Sequence, residues 1–127
     1  MHENEISYLI RGAIFKVYNE LGPGLFESVY EKAIAYQLMR DGCEVEVQVP
    51  VPVHYDGVEL QDIGFRMDLK VNKKVLVEIK SVEKLQEVHY KQVTTYLRLS
   101  GLKLGILVNF TSSFINKDIY RIVNKLD

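Results

Sequence analysis

Asp68, Glu78 and Lys80 are the residues of this chain best placed to do chemistry together. They fall in Gly-Phe-Arg-Met-Asp-Leu-Lys-Val-Asn-Lys-Lys-Val-Leu-Val-Glu-Ile-Lys, residues 64 to 80, as polar positions in two otherwise apolar segments. Two carboxylates and an amine fixed side by side can hold a divalent cation, polarise a phosphate and steer a water onto it. That is the donor set of a metal-dependent phosphodiesterase, provided the three side chains share a face.

Strand parity sets the condition. Successive side chains of a strand turn to opposite faces, so Phe65, Met67, Leu69 and Val71 line one side and Arg66, Asp68 and Lys70 the other. The same count sets Val75, Val77 and Ile79 against Leu76, Glu78 and Lys80. If the segments pair as a hairpin around Asn72, a two-residue loop places Asp68 across from Val77, on the wrong face from Glu78. A three-residue loop at Asn72, Lys73 and Lys74 sets Asp68 across from Glu78 and Arg66 across from Lys80. Directly opposed Cβ atoms lie roughly 5 Å apart, close enough for two carboxylates to share a cation. Without a divalent ion, or Lys80 and Arg66, their repulsion would drive one to protonate.

The elements that must position these groups follow from periodicity. An amphipathic helix is expected from about Glu5 to Glu20, with Ile6, Leu9, Ile10, Ala13, Phe15, Val17 and Leu21 on its apolar side. Gly22-Pro23-Gly24 ends it, and a second helix is expected from Phe26 to Arg40, stopping near Asp41-Gly42. Strands are expected at Glu44 to Val49 and Val51 to Tyr55, broken by Pro50 and Pro52, with Asp56-Gly57 as a turn. After the hairpin come a helix from about Leu85 to Ser100, a strand at Leu104 to Phe110 and an alternating segment at Ile119 to Val123. This order implies one domain, residues 1 to 127, of α/β (α+β) class: a central mixed sheet flanked by helices, the carboxylate-bearing strands near its middle.

Two helices add candidates. In the second, Phe26, Val29, Tyr30, Ala33, Ile34 and Leu38 form one apolar arc, and Glu27 falls inside it, between Ile34 and Leu38. A carboxylate there needs a cation, a metal or backbone donors; alternatively, an acid in a first turn is favoured by the helix dipole. In the third, Leu85, His89, Gln92, Tyr96 and Leu99 make a stripe with a polar middle. Gln92 and Tyr96, one turn apart, suit a water or a phosphate oxygen, and a lone His89 suits a structural role. Tyr8, Tyr18 and Tyr36 read as core or rim aromatics.

Composition narrows the rest. At 127 residues, 47% hydrophobic and 26% charged, the chain is of ordinary globular make-up. One cysteine, Cys43, excludes a disulfide framework and suits a small buried hydrophobe. With no basic leader and no apolar run approaching the ~20 residues of a membrane span, a cytoplasmic setting is expected. Net charge is −1. Yet Arg66 to Lys103 carries nine Lys or Arg against four Asp or Glu, so positive charge gathers around the suspected site.

Asp68 followed after nine residues by Glu78-Ile79-Lys80 resembles the Asp…(Asp/Glu)-x-Lys signature of the PD-(D/E)xK nuclease superfamily. Gly24-x-x-Glu27-x-x-Tyr30 is similar to the pattern of its small GxxExxY branch, which Gly64-Phe65-Arg66 and Gly101-Leu102-Lys103-Leu104-Gly105 also resemble. Gln92-x-x-x-Tyr96 is similar to the glutamine and tyrosine motif of its recombination-associated nucleases. Met67 stands where the signature's name has proline. The resemblance spans residues 5 to 124 and implies a restriction-endonuclease-like core and Mg²⁺- or Mn²⁺-dependent hydrolysis of nucleic acid, expected to be DNA. It further implies Glu27, Asp68 and Glu78 as metal ligands, aided by the Ile79 carbonyl, Lys80 as catalytic amine, Gln92 and Tyr96 as positioning groups, and pairing of sites in a homodimer. Two rivals stand beside this reading: a nuclease-fold module that binds nucleic acid or protein without cutting, and an interaction protein in which Arg66, Asp68, Glu78 and Lys80 are only a cross-strand ladder of ion pairs.

Overall fold

The structure, a computed structural model, describes residues 1–61 and 63–127. Two helices, α1 (Glu3–Leu21) and α2 (Glu27–Arg40), precede strand β1 (Val45–Pro50) and a small hairpin, β2 (Val53–Tyr55) with β3 (Val58–Leu60). Then come β4 (Arg66–Val71), β5 (Val75–Lys80), α3 (Glu87–Ser100), β6 (Leu104–Asn109), a 3₁₀ turn (Ile115–Lys117) and β7 (Ile119–Val123). The main sheet has the order β1-β4-β5-β6-β7, all pairs antiparallel except β5 with β6. This is the mixed, helix-flanked sheet expected, with the carboxylate-bearing β4 and β5 inside it. The third strand, β3, escapes a reading by periodicity because its three residues are all exposed.

Helices cover both faces. Ile6, Ile10, Ile14 and Val17 of α1 and Tyr30, Ile34 and Leu38 of α2 pack on Val75, Val77, Ile79, Ile106 and Val108. On the other face Val93, Tyr96 and Leu97 of α3 pack on Leu76 and Leu107. Alternation along β5 therefore serves two cores, and that is why the strand reads as nearly continuous apolar sequence with polar groups only at its far end. A Cβ on Gly105 would stand 2.7 Å from a Val93 methyl carbon, so the missing side chain lets α3 lie close on β6. Cys43 is free and buried in the first core, as a small hydrophobe.

The β4–β5 turn has the odd length that a shared face for Asp68 and Glu78 requires. Val71 pairs with Val75 and Leu69 with Val77, leaving Asn72, Lys73 and Lys74 as a three-residue loop. Asn72 and Lys73 take φ of 50° and 59°, and the Lys74 amide donates to the Val71 carbonyl. The Asn72 side chain ties the turn to the sheet edge by accepting from the Glu44 amide.

Parity breaks in one place. Val45, Leu69 and Val71 face α1 and α2, whereas Val49 and Met67, which parity would put on the same side, join the α3 core. Both strands turn over at one level, between the pairs Val47↔Leu69 and Val49↔Met67, where Gln48 and Asp68 stand opposite each other. Gln48 has φ of 53°, a left-handed conformation that non-glycine residues seldom adopt. The expected single-faced run Phe65-Met67-Leu69-Val71 is thus corrected: it rolls at Asp68.

Candidate active site

Where that roll occurs, backbone pairing between β4 and β5 gives way to side chains. The register that joins Leu69 to Val77 brings Asp68 opposite Glu78, but the bonds there are made by carboxylates. The Asp68 amide donates to Glu78 Oε1 at 3.2 Å, and the Ile79 amide donates to Asp68 Oδ2 at 2.8 Å. Each acid occupies a place that a carbonyl would hold in an unbroken ladder, so neither is free to swing away.

The electrostatics are those of an undercompensated pair. Glu78 is only 3% exposed, and burial first, then the Asp68 charge, pushes its carboxyl up to about 8. Burial likewise raises Asp68, opposed by the Ile79 hydrogen bond and the Lys80 charge. Lys80 is half-buried at the end of β5 and lowers both acids through space, but among the described residues no ion pair joins it to either. Arg66, expected to help offset the repulsion, donates instead to the Gln48 carbonyl at 3.4 Å. Ionised together, the two acids would carry more negative charge than their neighbours neutralise.

The α2 residues arrive differently from expectation. Phe26 and Val29 are exposed, so the buried arc of α2 is Tyr30, Ile34, Ala35 and Leu38, and Glu27 lies exposed at its rim rather than among apolar neighbours. Its carboxylate accepts from the Ser81 amide at 2.9 Å, just past the end of β5. Of the partners expected for it, backbone donors are the ones it finds. Tyr30 explains the spacing around it: its buried hydroxyl donates to the Gly22 carbonyl at 2.5 Å and accepts from the Leu25 amide at 3.1 Å. With its ring stacked 4.1 Å from that of Phe110, Tyr30 pins the glycine-rich turn that sets where Glu27 begins the helix. Gly24, at φ 99°, supplies the turn's left-handed step.

From the opposite layer, Gln92 donates to the Tyr96 hydroxyl at 2.9 Å. Tyr96 is 6% exposed, and its hydroxyl is raised by burial and further by the charges of Glu78 and Asp68, so it lies in the field of the pair. His89 stands apart: its Nδ1 accepts from the Gln86 amide in the capping box of α3, a structural task. That box also moves the helix start to Glu87, leaving Leu85 in the core ahead of it.

Three members were not foreseen. Glu31, one turn after Glu27, is half-buried, and burial raises its carboxyl, with the Asp68 and Glu27 charges adding to the effect. Gln48 reaches Glu31 Oε2 at 2.8 Å and Asp68 Oδ1 at 3.3 Å. Asn109, 2% exposed, accepts from the Val82 amide and donates to the Val82 carbonyl, fixing the chain as it leaves β5. The i, i+4 spacing of Glu27 and Glu31 was a signal in the sequence; nothing there announced Gln48, whose part depends on a backbone conformation.

Two hard oxygen donors held at a fixed separation, short of positive charge, fit a divalent cation, and the nearby Ser81 hydroxyl is buried without a hydrogen-bond partner. The implied third carboxylate is not gathered in: among the described residues no three His, Cys, Asp or Glu side chains converge as a metal site. Nor is any helix among them long and apolar enough to cross a membrane.

Residues 4–122 match the sequence profile of the PD-(D/E)XK nuclease superfamily, and the chain belongs to that superfamily. No curated protein matches it. A solved structure, SSO0001, is similar at 21% identity over 94% of this chain, with a TM-score of 0.45. The chain spans 64% of that protein's length.

Proposed function

We propose that the protein is a divalent-metal-dependent nuclease of the GxxExxY branch, hydrolysing phosphodiester bonds in nucleic acid, with DNA as the expected substrate. The observation that carries this reading is the apposed pair Asp68 and Glu78, each engaged by a backbone amide, with the Lys80 charge acting on both and, among the described residues, no ion pair to either. A purely structural pair of like charges in a sheet would be a net cost. Membership of a nuclease superfamily supports the same reading.

Asp68 and Glu78 would hold Mg²⁺ or Mn²⁺, which when bound polarises a phosphate oxygen and acidifies a water. Lys80 is placed to orient the attacking water or to stabilise charge developing on the phosphate. Gln92 and Tyr96, linked carboxamide to hydroxyl with the Tyr96 hydroxyl in the field of the acids, would hold a phosphate oxygen. Glu27 keeps the Ser81 amide in place in the structure and would join the ligand set only by releasing it. The surplus of Lys and Arg between 66 and 103 favours a polyanionic partner.

Asp68→Ala and Lys80→Ala should each lower Mg²⁺-dependent cleavage of plasmid and oligonucleotide DNA by at least about 100-fold while retaining the fold by circular dichroism. Undiminished cleavage by both would defeat the reading. Glu27→Gln separates the two roles of that residue. A glutamine carbonyl can still accept from Ser81, so lost activity identifies a ligand and retained activity a structural acceptor. The unassembled third ligand favours one alternative, a nuclease fold that binds without cutting; calorimetry with DNA retained but neither Mg²⁺ nor Mn²⁺ bound would establish it.

A further inference from the structure

Gln48 belongs to none of the motifs above, yet three features of the structure converge on it. Its backbone is left-handed at φ 53° in the middle of β1, a conformation disfavoured for a residue with a Cβ. It lies opposite Asp68, at the level where β1 and β4 both roll from one core to the other. Its carboxamide nitrogen stands between two carboxylates from different layers, 2.8 Å from Glu31 on α2 and 3.3 Å from Asp68 on β4. Held in an ordinary extended conformation, an edge-strand glutamine would continue the alternation of its strand. The unusual backbone directs it toward α2, and Arg66 secures that backbone by donating to its carbonyl.

We propose that Gln48 is a positioning residue of the site: its amide group clamps Glu31 and Asp68 together and so fixes the Asp68 carboxylate on the Ile79 amide. Asp68 has two oxygens, and the structure uses both, Oδ2 on the Ile79 amide and Oδ1 on Gln48. Removing the second anchor leaves a carboxylate able to rotate about one hydrogen bond, facing the unneutralised Glu31. Gln48 thereby acts as a neutral donor between two acids, lowering their repulsion without adding a charge of its own. The catalytic consequence rests on the nuclease reading; the structural one does not.

Two substitutions isolate the amide from the backbone. Gln48→Gly accepts the left-handed conformation more readily than glutamine and removes the side chain. Gln48→Glu keeps the size and replaces the donor by an acceptor facing two carboxylates. Hydrogen exchange of metal-free protein reads the Asp68 clamp directly. The Ile79 amide should exchange about fivefold faster in Gln48→Gly, the effect of weakening one hydrogen bond, and faster still in Gln48→Glu. Amides of the paired stretch Val75 to Val77 should be unchanged. In cleavage assays kcat should fall in both variants, with KM for DNA unaltered. Wild-type protection of Ile79 in both variants would overturn the inference, as would selective deprotection with kcat unchanged. Should Gln48→Gly fail to fold, Gln48→Glu decides the same question alone. An Asp68→Ala variant that cleaves like the wild type would defeat the nuclease reading, and the exchange result would still judge the clamp.

Discussion

Two hairpins of this molecule, β2–β3 and β4–β5, apply one rule to opposite ends. In β2–β3 the loop has two residues, Asp56 and Gly57, at φ of 53° and 77°, as a tight turn with the twist of its strands requires. Its opposed polar pair is His54 and Glu59, 3.6 Å apart, an ion pair only where the imidazole carries a proton, with side chains 57% and 52% exposed. In β4–β5 the loop has three residues, and the opposed pair is two acids, one of them buried. Parity brings partners face to face in both, but only in the second does the environment make the meeting expensive. Solvent screens the exposed pair until its sign matters little, whereas burial turns like charge into a demand for a cation. On the proposed reading, the second pair is the place where a cation would bind.

The hardest blow to the second hairpin would be a change of parity. Deleting Lys73 leaves a two-residue loop, and every residue of one strand must then face the wrong layer or the turn must distort. Thermal unfolding should show a loss of several kcal/mol, since the strands flank both cores, and cleavage should drop to background. Lys73→Gly keeps the length and suits the left-handed φ of 59°; it should leave activity intact and raise stability by roughly 0.5 to 1 kcal/mol. If the deletion were tolerated as well as the glycine, loop parity would not be what aligns Asp68 with Glu78.

A smaller effect, opposite in sign, is expected from the buried acid. With its carboxyl raised from 4.5 to about 8, Glu78 keeps its proton in the folded protein over a range where the unfolded chain has released it. The folded state binds more protons there, so metal-free stability should decline as pH rises from about 4.5 to 8. Below that window both states are protonated, and above it both are ionised. Glu78→Gln should flatten the decline and stabilise the metal-free protein at pH 7.5 by on the order of 1 to 3 kcal/mol. Chemical denaturation across pH in the presence of a chelator measures it. Mg²⁺ should narrow the gap between wild type and variant, because a cation stabilises the ionised pair. A flat wild-type profile would mean that the site is already neutralised by the protein.

How far these features were readable in advance depended on how local they are. Counting left a two-residue and a three-residue loop open and showed that only the odd one lets Asp68 and Glu78 share a face; the structure has the odd one. The sheet's composition followed similarly, and Ile119 to Val123 is a strand as its alternation suggested. The exposure of Glu27 was not legible. Periodicity placed it among apolar residues, but helices pack by the contour of their neighbours, and Phe26 at 82% exposure lies outside what α1 and the sheet cover. Gln48 was further out of reach. A left-handed residue inside a strand has no pattern of its own, and the roll it accompanies appears only when Val49 and Met67 are seen in the other core.

The mildest substitution completes the contrast from the first hairpin. His54→Ala removes one member of a cross-strand pair whose position, opposite Glu59, is geometrically as direct as that of Asp68 opposite Glu78. If opposition alone conferred energy, the two substitutions should disturb the protein comparably. Screening argues otherwise: an exposed pair at this separation is worth about 0 to 1 kcal/mol at most, and the histidine side chain is more than half in water. His54→Ala should therefore shift the unfolding midpoint by no more than about 0.5 kcal/mol, with the change shrinking further in 0.5 M salt as the Debye length falls to roughly 4 Å. Nucleic-acid cleavage should be untouched. A destabilisation of about 2 kcal/mol or more, insensitive to salt, would show the β2–β3 pair to be shielded from solvent and would place it with the buried acids, where its geometry alone could not.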